Sequence, residues 1–192
     1  QTKMSTIANN LANVGTTGFK RGRAIFEDLL YQNVRQVGAQ SSQDTVLPSG
    51  LQVGTGTRVV ATERLFTQGN LTKTDNALDI AIQGRGFFEI LMPDGTQGYT
   101  RDGSFHINDQ GLVVTSAGYQ LQPPITVPAD AMSITVAGDG TVSVQQPGTP
   151  AATQIGTVQL NDFINPAGLQ ARGENLFKEC GPSGAPQPGN PG

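Results

Sequence analysis

The residues best suited to chemistry lie in one short stretch, where Asp102, Ser104 and His106 alternate with Phe105 and Ile107. An acid, a hydroxyl and an imidazole are the parts of a nucleophilic hydrolase, but there they must converge at hydrogen-bonding distance. Alternation along a strand puts the three on one side while leaving i and i+2 side chains nearly parallel and well separated. Phe105 and Ile107 read as the buried side and the polar trio as a hairpin's exposed face, so no catalytic residue is assigned. Gly54-Thr55-Gly56 and Gly84-Arg85-Gly86 each begin like a dinucleotide loop, yet Val59 and Glu89 stand where the third glycine belongs. With one histidine and one cysteine, Cys180, the chain cannot build an internal disulfide or a cysteine-based zinc cage. Asp102 to Asp109 lacks the spacing of a calcium-binding loop. No metal and no cofactor is expected. Asn70-Leu71-Thr72 matches a glycosylation acceptor, a pattern short enough to arise by chance.

Composition narrows the classes further. The 192 residues suffice for one domain with extended arms. Charged residues make up 14% of the chain, against roughly 25% in typical soluble domains. Thr, Gln, Asn and Ser together number 58, so amides and hydroxyls cover much of the surface. A β-rich chain without charged edges is poorly protected against self-association. A secreted Thr/Gln-rich domain has the same composition. The net charge of −3 supplies no broad field for nucleic acid or anionic lipid, and no apolar run is long enough to span a bilayer. Neither nucleic-acid binding nor membrane insertion is expected.

The positioning elements follow from periodicity. Met4, Ile7, Ala8, Leu11 and Val14 recur at helical spacing, and Asn9, Asn10 and Asn13 fill the other faces. Asparagine is a poor helix former, which suggests that these amides bond to a partner. Gly15 stops the helix, and Thr16-Thr17-Gly18 turns into Phe19 and Lys20. Ile25, Phe26, Leu29, Leu30 and Val34 again recur at three and four residues, predicting a second short helix over 24–34. Residues 35–50 are polar and aperiodic, as in a loop or extended arm. After Leu51 the period falls to two: Leu78, Ile80 and Ile82 share one face of an expected strand. Ile134 and Val136 are set against Val142 and Val144 across Gly138-Asp139-Gly140 as a hairpin, with similar turns at Asp94-Gly95 and Asp102-Gly103. The expected fold is mainly β, with short antiparallel strands behind an N-terminal helix. Its segments are a helical 1–34, an arm over 35–50, a β-rich domain over 51–178 and a stiff Pro/Gly-rich linker over 179–192.

The run from Asn9 to Lys20, NNLANVGTTGFK, resembles the signature of bacterial flagellar rod and hook proteins. DIAIQGRGFF from Asp79, YTRDGSF from Tyr99 and GENLF from Gly173 are similar to the same family, in order along nearly the whole chain. The stretch from Phe26 through Leu51, with FEDLLYQ, GAQSS and LPSGLQVGTG, is most similar to the family's distal-rod members. The resemblance implies a subunit exported unfolded by a type III apparatus, assembling helically into a rigid shaft across the periplasm and outer membrane. Its implied partners are further copies of itself, other rod proteins, the hook protein and the surrounding basal-body rings. It also implies a helix that begins upstream of Gln1 and a partner helix beyond Gly192, with Cys180 standing where a small polar residue is expected. The subunit interface is then expected at Met4, Ile7, Ala8, Asn9, Asn10, Leu11, Asn13, Val14, Phe19 and Lys20, and the arm is expected to order between subunits and stiffen the shaft. Other readings are a hook or proximal-rod subunit, a β-rich adhesin or sugar-binding module, and a hydrolase built on His106. The second lacks the clustered aromatics that stack on sugars, since the chain has no Trp and three Tyr.

Overall fold

A computed structural model describes residues 1–35, 40–42, 45–46, 51–149 and 151–189. They form two units, residues 1–12 with 21–65, and residues 13–20 with 66–192. The expected boundary at residue 51 falls inside the first unit. The turn after the opening helix belongs to the second.

In the first unit, α1 (Thr2–Ala12) precedes β1 (Gly22–Asp28), β2 (Tyr31–Arg35), β3 (Gln40–Ser42), β4 (Thr45–Val46), β5 (Leu51–Gly54) and β6 (Thr57–Arg64). The helix expected over 24–34 is not formed: its residues lie in β1 and β2, which pair antiparallel with β6 and β5. Ile, Phe and Val prefer strands when a partner is available, and β6 supplies one residue by residue. Phe26 faces Val59, Arg23 forms an ion pair with Glu63 at 2.8 Å, and Arg58 pairs with Glu27. The arm over 35–50 lies mostly outside the described residues; within it, β3 pairs with β4. Among the described residues, every buried apolar side chain belongs to the second unit.

That unit contains β7 (Phe87–Leu91), β8 (Gln97–Thr100), β9 (Phe105–Ile107), β10 (Val113–Thr115), β11 (Gln120–Gln122), β12 (Ser133–Val136), β13 (Thr141–Gln145), β14 (Thr153–Thr157), β15 (Leu160–Asp162), β16 (Gln170–Gly173), β17 (Leu176–Lys178) and β18 (Gln187–Gly189). The main sheet runs β16-β17-β8-β7-β11-β10-β9, β15 also pairs with β7, and β12-β13-β14 form a separate antiparallel sheet. Consecutive strand residues point to opposite faces. Phe88 enters a cluster with Phe105, Leu121, Ile125, Val142 and Val144. Phe87 enters the opposite one, with Tyr99, Phe163, Leu169 and Phe177. Both phenylalanines are 1% exposed, so β7 is covered on both faces.

The expected hairpin forms as β12 and β13, with Val136 opposite Val142. The turn at Asp94-Gly95 links β7 to β8. Residues 78–82 alternate in burial as predicted, but Asp79 makes only an isolated bridge to Ser104 and no regular strand forms. Asp102-Gly103 is not a hairpin turn: β8 and β9 on either side of it do not pair, and its backbone presses against Ile80. Over 179–189 the expected linker is instead part of the fold. Gln187–Gly189 adds β18 to the edge of β15, where Pro188 needs no ladder N–H.

Within the aromatic cluster the Tyr99 hydroxyl is buried and finds no hydrogen-bond partner among the described residues. Burial, followed by the charges of Glu89 and Glu179, pushes its pKa up to about 12. The folded chain therefore holds this proton more tightly than the unfolded one. That contribution is complete below the ordinary phenol value of about 10 and is lost as pH rises through about 12. Tyr99→Phe removes an unsatisfied buried group worth about 1 kcal/mol. It is expected to raise the melting midpoint by about 2–4 °C and to flatten the loss of stability above pH 10. Thermal melts of both proteins across that range check the expectation.

Candidate functional site

None of the α1 residues is buried. Met4, Leu11 and Ile7 are 76%, 71% and 56% exposed, and at 100° per residue they lie within one narrow sector together with Ala8. The helix is tied to its own unit through another sector. Asn10 Nδ2 donates to Gly22 O at 2.8 Å, and Gly22 N–H donates to Asn10 Oδ1 at 2.9 Å. The side-chain amide thus pairs with the first peptide of β1 as a strand neighbour would, which explains why an asparagine sits inside a helix. Thr6 packs its methyl group over the same glycine. Asn9 is exposed and Asn13 half-buried.

Residues 13–20 lie on the second unit. Thr16 N–H donates to Asn13 O at 3.1 Å and Phe19 N–H to Thr16 O at 3.3 Å, closing a compact turn. Thr17 Oγ1 donates to Asp102 Oδ1 at 3.1 Å, and Asn175 Nδ2 donates to Thr17 O at 2.7 Å. Asp102 N–H donates to Thr100 Oγ1 at 3.0 Å, and that hydroxyl donates to Asn175 O at 3.1 Å. Thr17, Asp102, Thr100 and Asn175 therefore close a ring of hydrogen bonds. Gly18, at φ +70°, seals its edge: a Cβ there would sit 2.7 Å from Asp102 N. Lys20 Nζ donates to Thr67 O at 2.8 Å, and Phe19 is half-buried. Burial, and then the Arg101 charge, holds the Lys20 amine below its usual pKa. Arg101 donates to Gly84 O at 2.6 Å, with its guanidinium 5.8 Å from the Phe87 ring centre.

The stretch singled out for catalysis is part of this scaffold. Ser104 donates both its hydroxyl (2.9 Å) and its N–H (3.2 Å) to Asp102 Oδ1, the oxygen that also receives Thr17. His106 is exposed on β9 opposite Val114, while Phe105 is fully buried. Ile107 was expected to share that burial. It is instead 42% exposed, at the far end of the short strand β9 on the sheet's edge. No group of three or more His, Cys, Asp or Glu comes together among the described residues.

Thr17, Gly18, Thr100, Asp102 and Asn175 were not among the expected site residues. The signal for them was already present in the motifs TTGFK, YTRDGSF and GENLF, which the fold brings to one place.

The chain matches a family model described as "Flagella basal body rod protein" over residues 1–20 and one described as "Flagellar hook protein FlgE/F/G D1 domain" over residues 81–144. It is 50% identical over 192 residues to the flagellar basal-body rod protein FlgG of Buchnera aphidicola subsp. Schizaphis graminum, covering all of this chain and 74% of that protein. The corresponding protein of Borreliella burgdorferi is 48% identical over 194 residues, covering all of this chain and 73% of the relative. The flagellar hook protein FlgE of Helicobacter pylori is 44% identical over 117 residues, which is 60% of this chain and 16% of that protein.

Proposed function

Because the chain belongs to the flagellar basal-body rod proteins of the FlgG family, and so is a structural subunit of the rod in the basal body, we propose that it builds that rod by helical self-association through the open stripe of α1. The observation that carries the proposal is the division of labour on the helix. Asn10 and Thr6 tie one side to β1, while Met4, Ile7 and Leu11 face outward with no cover. A large apolar side chain gains roughly 1.5–3 kcal/mol on burial, and a helical lattice repeats that gain in every subunit. The stripe, with Ala8 in its sector, packs against terminal helices of neighbouring copies, and Asn9 on another face of α1 and Asn13 and Val14 in the turn that follows are further contact residues. Asn10 acts from within the first unit and Phe19 and Lys20 from within the second, and Asn10 and Lys20 already hold main-chain partners there. Other rod proteins, the hook protein and the surrounding rings are its further neighbours.

The chain acts by binding its like, without catalysis. In support of this, the Ser104 hydroxyl is engaged by Asp102, and His106 stands apart on a strand. Protein expressed at full length from its own gene and concentrated under polymerising conditions is expected to form straight tubes by cryo-electron microscopy. A protein that stays monomeric there overturns the proposal.

A further inference from the structure

We propose that Asp102 and Asn175 are positioning residues for assembly: they clasp Thr17, and so hold the turn over 13–20 in place on the β-rich unit. The inference rests on the rod reading and adds to it a task for residues outside the apolar stripe of α1. Thr17 is exposed, yet it is held twice, by its hydroxyl at Asp102 and by its carbonyl at Asn175. The ring is completed through Thr100, which is 1% exposed, so the surface turn is wired to a buried strand residue.

The ring is also served by a tight hairpin. Glu174 and Asn175 both sit at positive φ, 52° and 58°. Both are the central residues of the two-residue turn between β16 and β17, and such a tight hairpin requires positive φ there. Asparagine tolerates this conformation, and from it Asn175 gives its amide to Thr17 and its carbonyl to Thr100. Residue 13 follows directly on the last residue of α1, Ala12. The clasp therefore sets how the turn that follows α1 is presented on the β-rich unit when subunits assemble.

The test pairs Thr17→Val, which keeps the side chain's shape and deletes the hydroxyl, with Asn175→Gly, which keeps the left-handed backbone and deletes the amide. In the monomeric double variant, hydrogen exchange at residues 16–20 is expected to accelerate at least tenfold while exchange across Phe87–Thr100 stays unchanged. Introduced at the native gene, the same changes are expected to reduce completed rods several-fold, and Thr17→Ser is expected to preserve both readouts. Unchanged exchange at 16–20 overturns the clasp. Faster exchange with normal rod numbers overturns its positioning role and leaves the rod reading intact. Completed rods in cells that lack the gene overturn the rod reading, while the exchange data still decide whether the clasp exists.

Discussion

Leu11→Asp is expected to abolish rod growth while leaving the β-rich unit as stable as before. In the single subunit the substitution is nearly free, because Leu11 is 71% exposed and α1 buries no residue. Exposed substitutions of this kind stay within about 0.5 kcal/mol, and the difference in helix propensity adds about as much. In the proposed assembly the same side chain enters an apolar seam. A carboxylate held there without a partner costs several kcal/mol, or must take up a proton to remain. That penalty recurs in every subunit, so growth fails outright instead of slowing. Circular dichroism and thermal melting of the monomer should match the parent, and electron microscopy should find basal bodies without a completed shaft. Rods of normal length and number would exclude the stripe as the seam. Asn10→Ala is the complementary change: it removes two hydrogen bonds to Gly22 and is expected to loosen α1 in the monomer, which Leu11→Asp does not.

What could be read from sequence follows the range over which each interaction acts. The hairpin of β12 and β13 was legible because its strands are four residues apart and alternate cleanly. Residues 24–34 were not, because β1 finds its partner more than thirty positions later: Phe26 lies opposite Val59. Local spacing at three and four residues fits a helix equally well until that distant strand is known. The Pro/Gly-rich tail misled for a related reason. A proline that argues against an internal strand is harmless at Pro188, on an edge strand beside Asn161. The clasp joins Thr17 to Asn175, 158 positions away. No periodicity links them, so only motif resemblance marked their neighbourhoods. The helix stripe was visible from spacing alone, whereas the role of Asn10 as a surrogate peptide against Gly22 required the fold.

Gly103→Ala is expected to cost at least about 3 kcal/mol, the upper end of what one added methyl group does in a packed site. Asp-Gly ordinarily signals a turn whose glycine supplies positive φ, but Gly103 is absent from the positive-φ glycines. Its requirement is space. A Cβ there would sit 1.6 Å from Ile80 O and 2.7 Å from the carbonyl carbon behind it. The obstacle is backbone, so no rotamer change relieves it. Ile80 cannot retreat cheaply either, because its N–H donates to Gly103 O at 2.9 Å, Asp79 bridges to Ser104, and Leu78 and Ile82 on either side are buried in the core. Pushing this segment outward breaks those bonds and opens the cluster around Phe88 and Phe105. The melting midpoint should fall by at least about 6 °C. Gly138→Ala is the control, since a Cβ there meets nothing within 4 Å and the backbone has no positive φ to forfeit; it should leave stability unchanged or slightly raised. Equal melting of the two variants would mean that the 79–82 segment yields freely. Ile80 and Gly103 would then not be the rigid seat on which Asp102 holds Thr17, and the clasp would have to draw its stiffness from Asn175 alone.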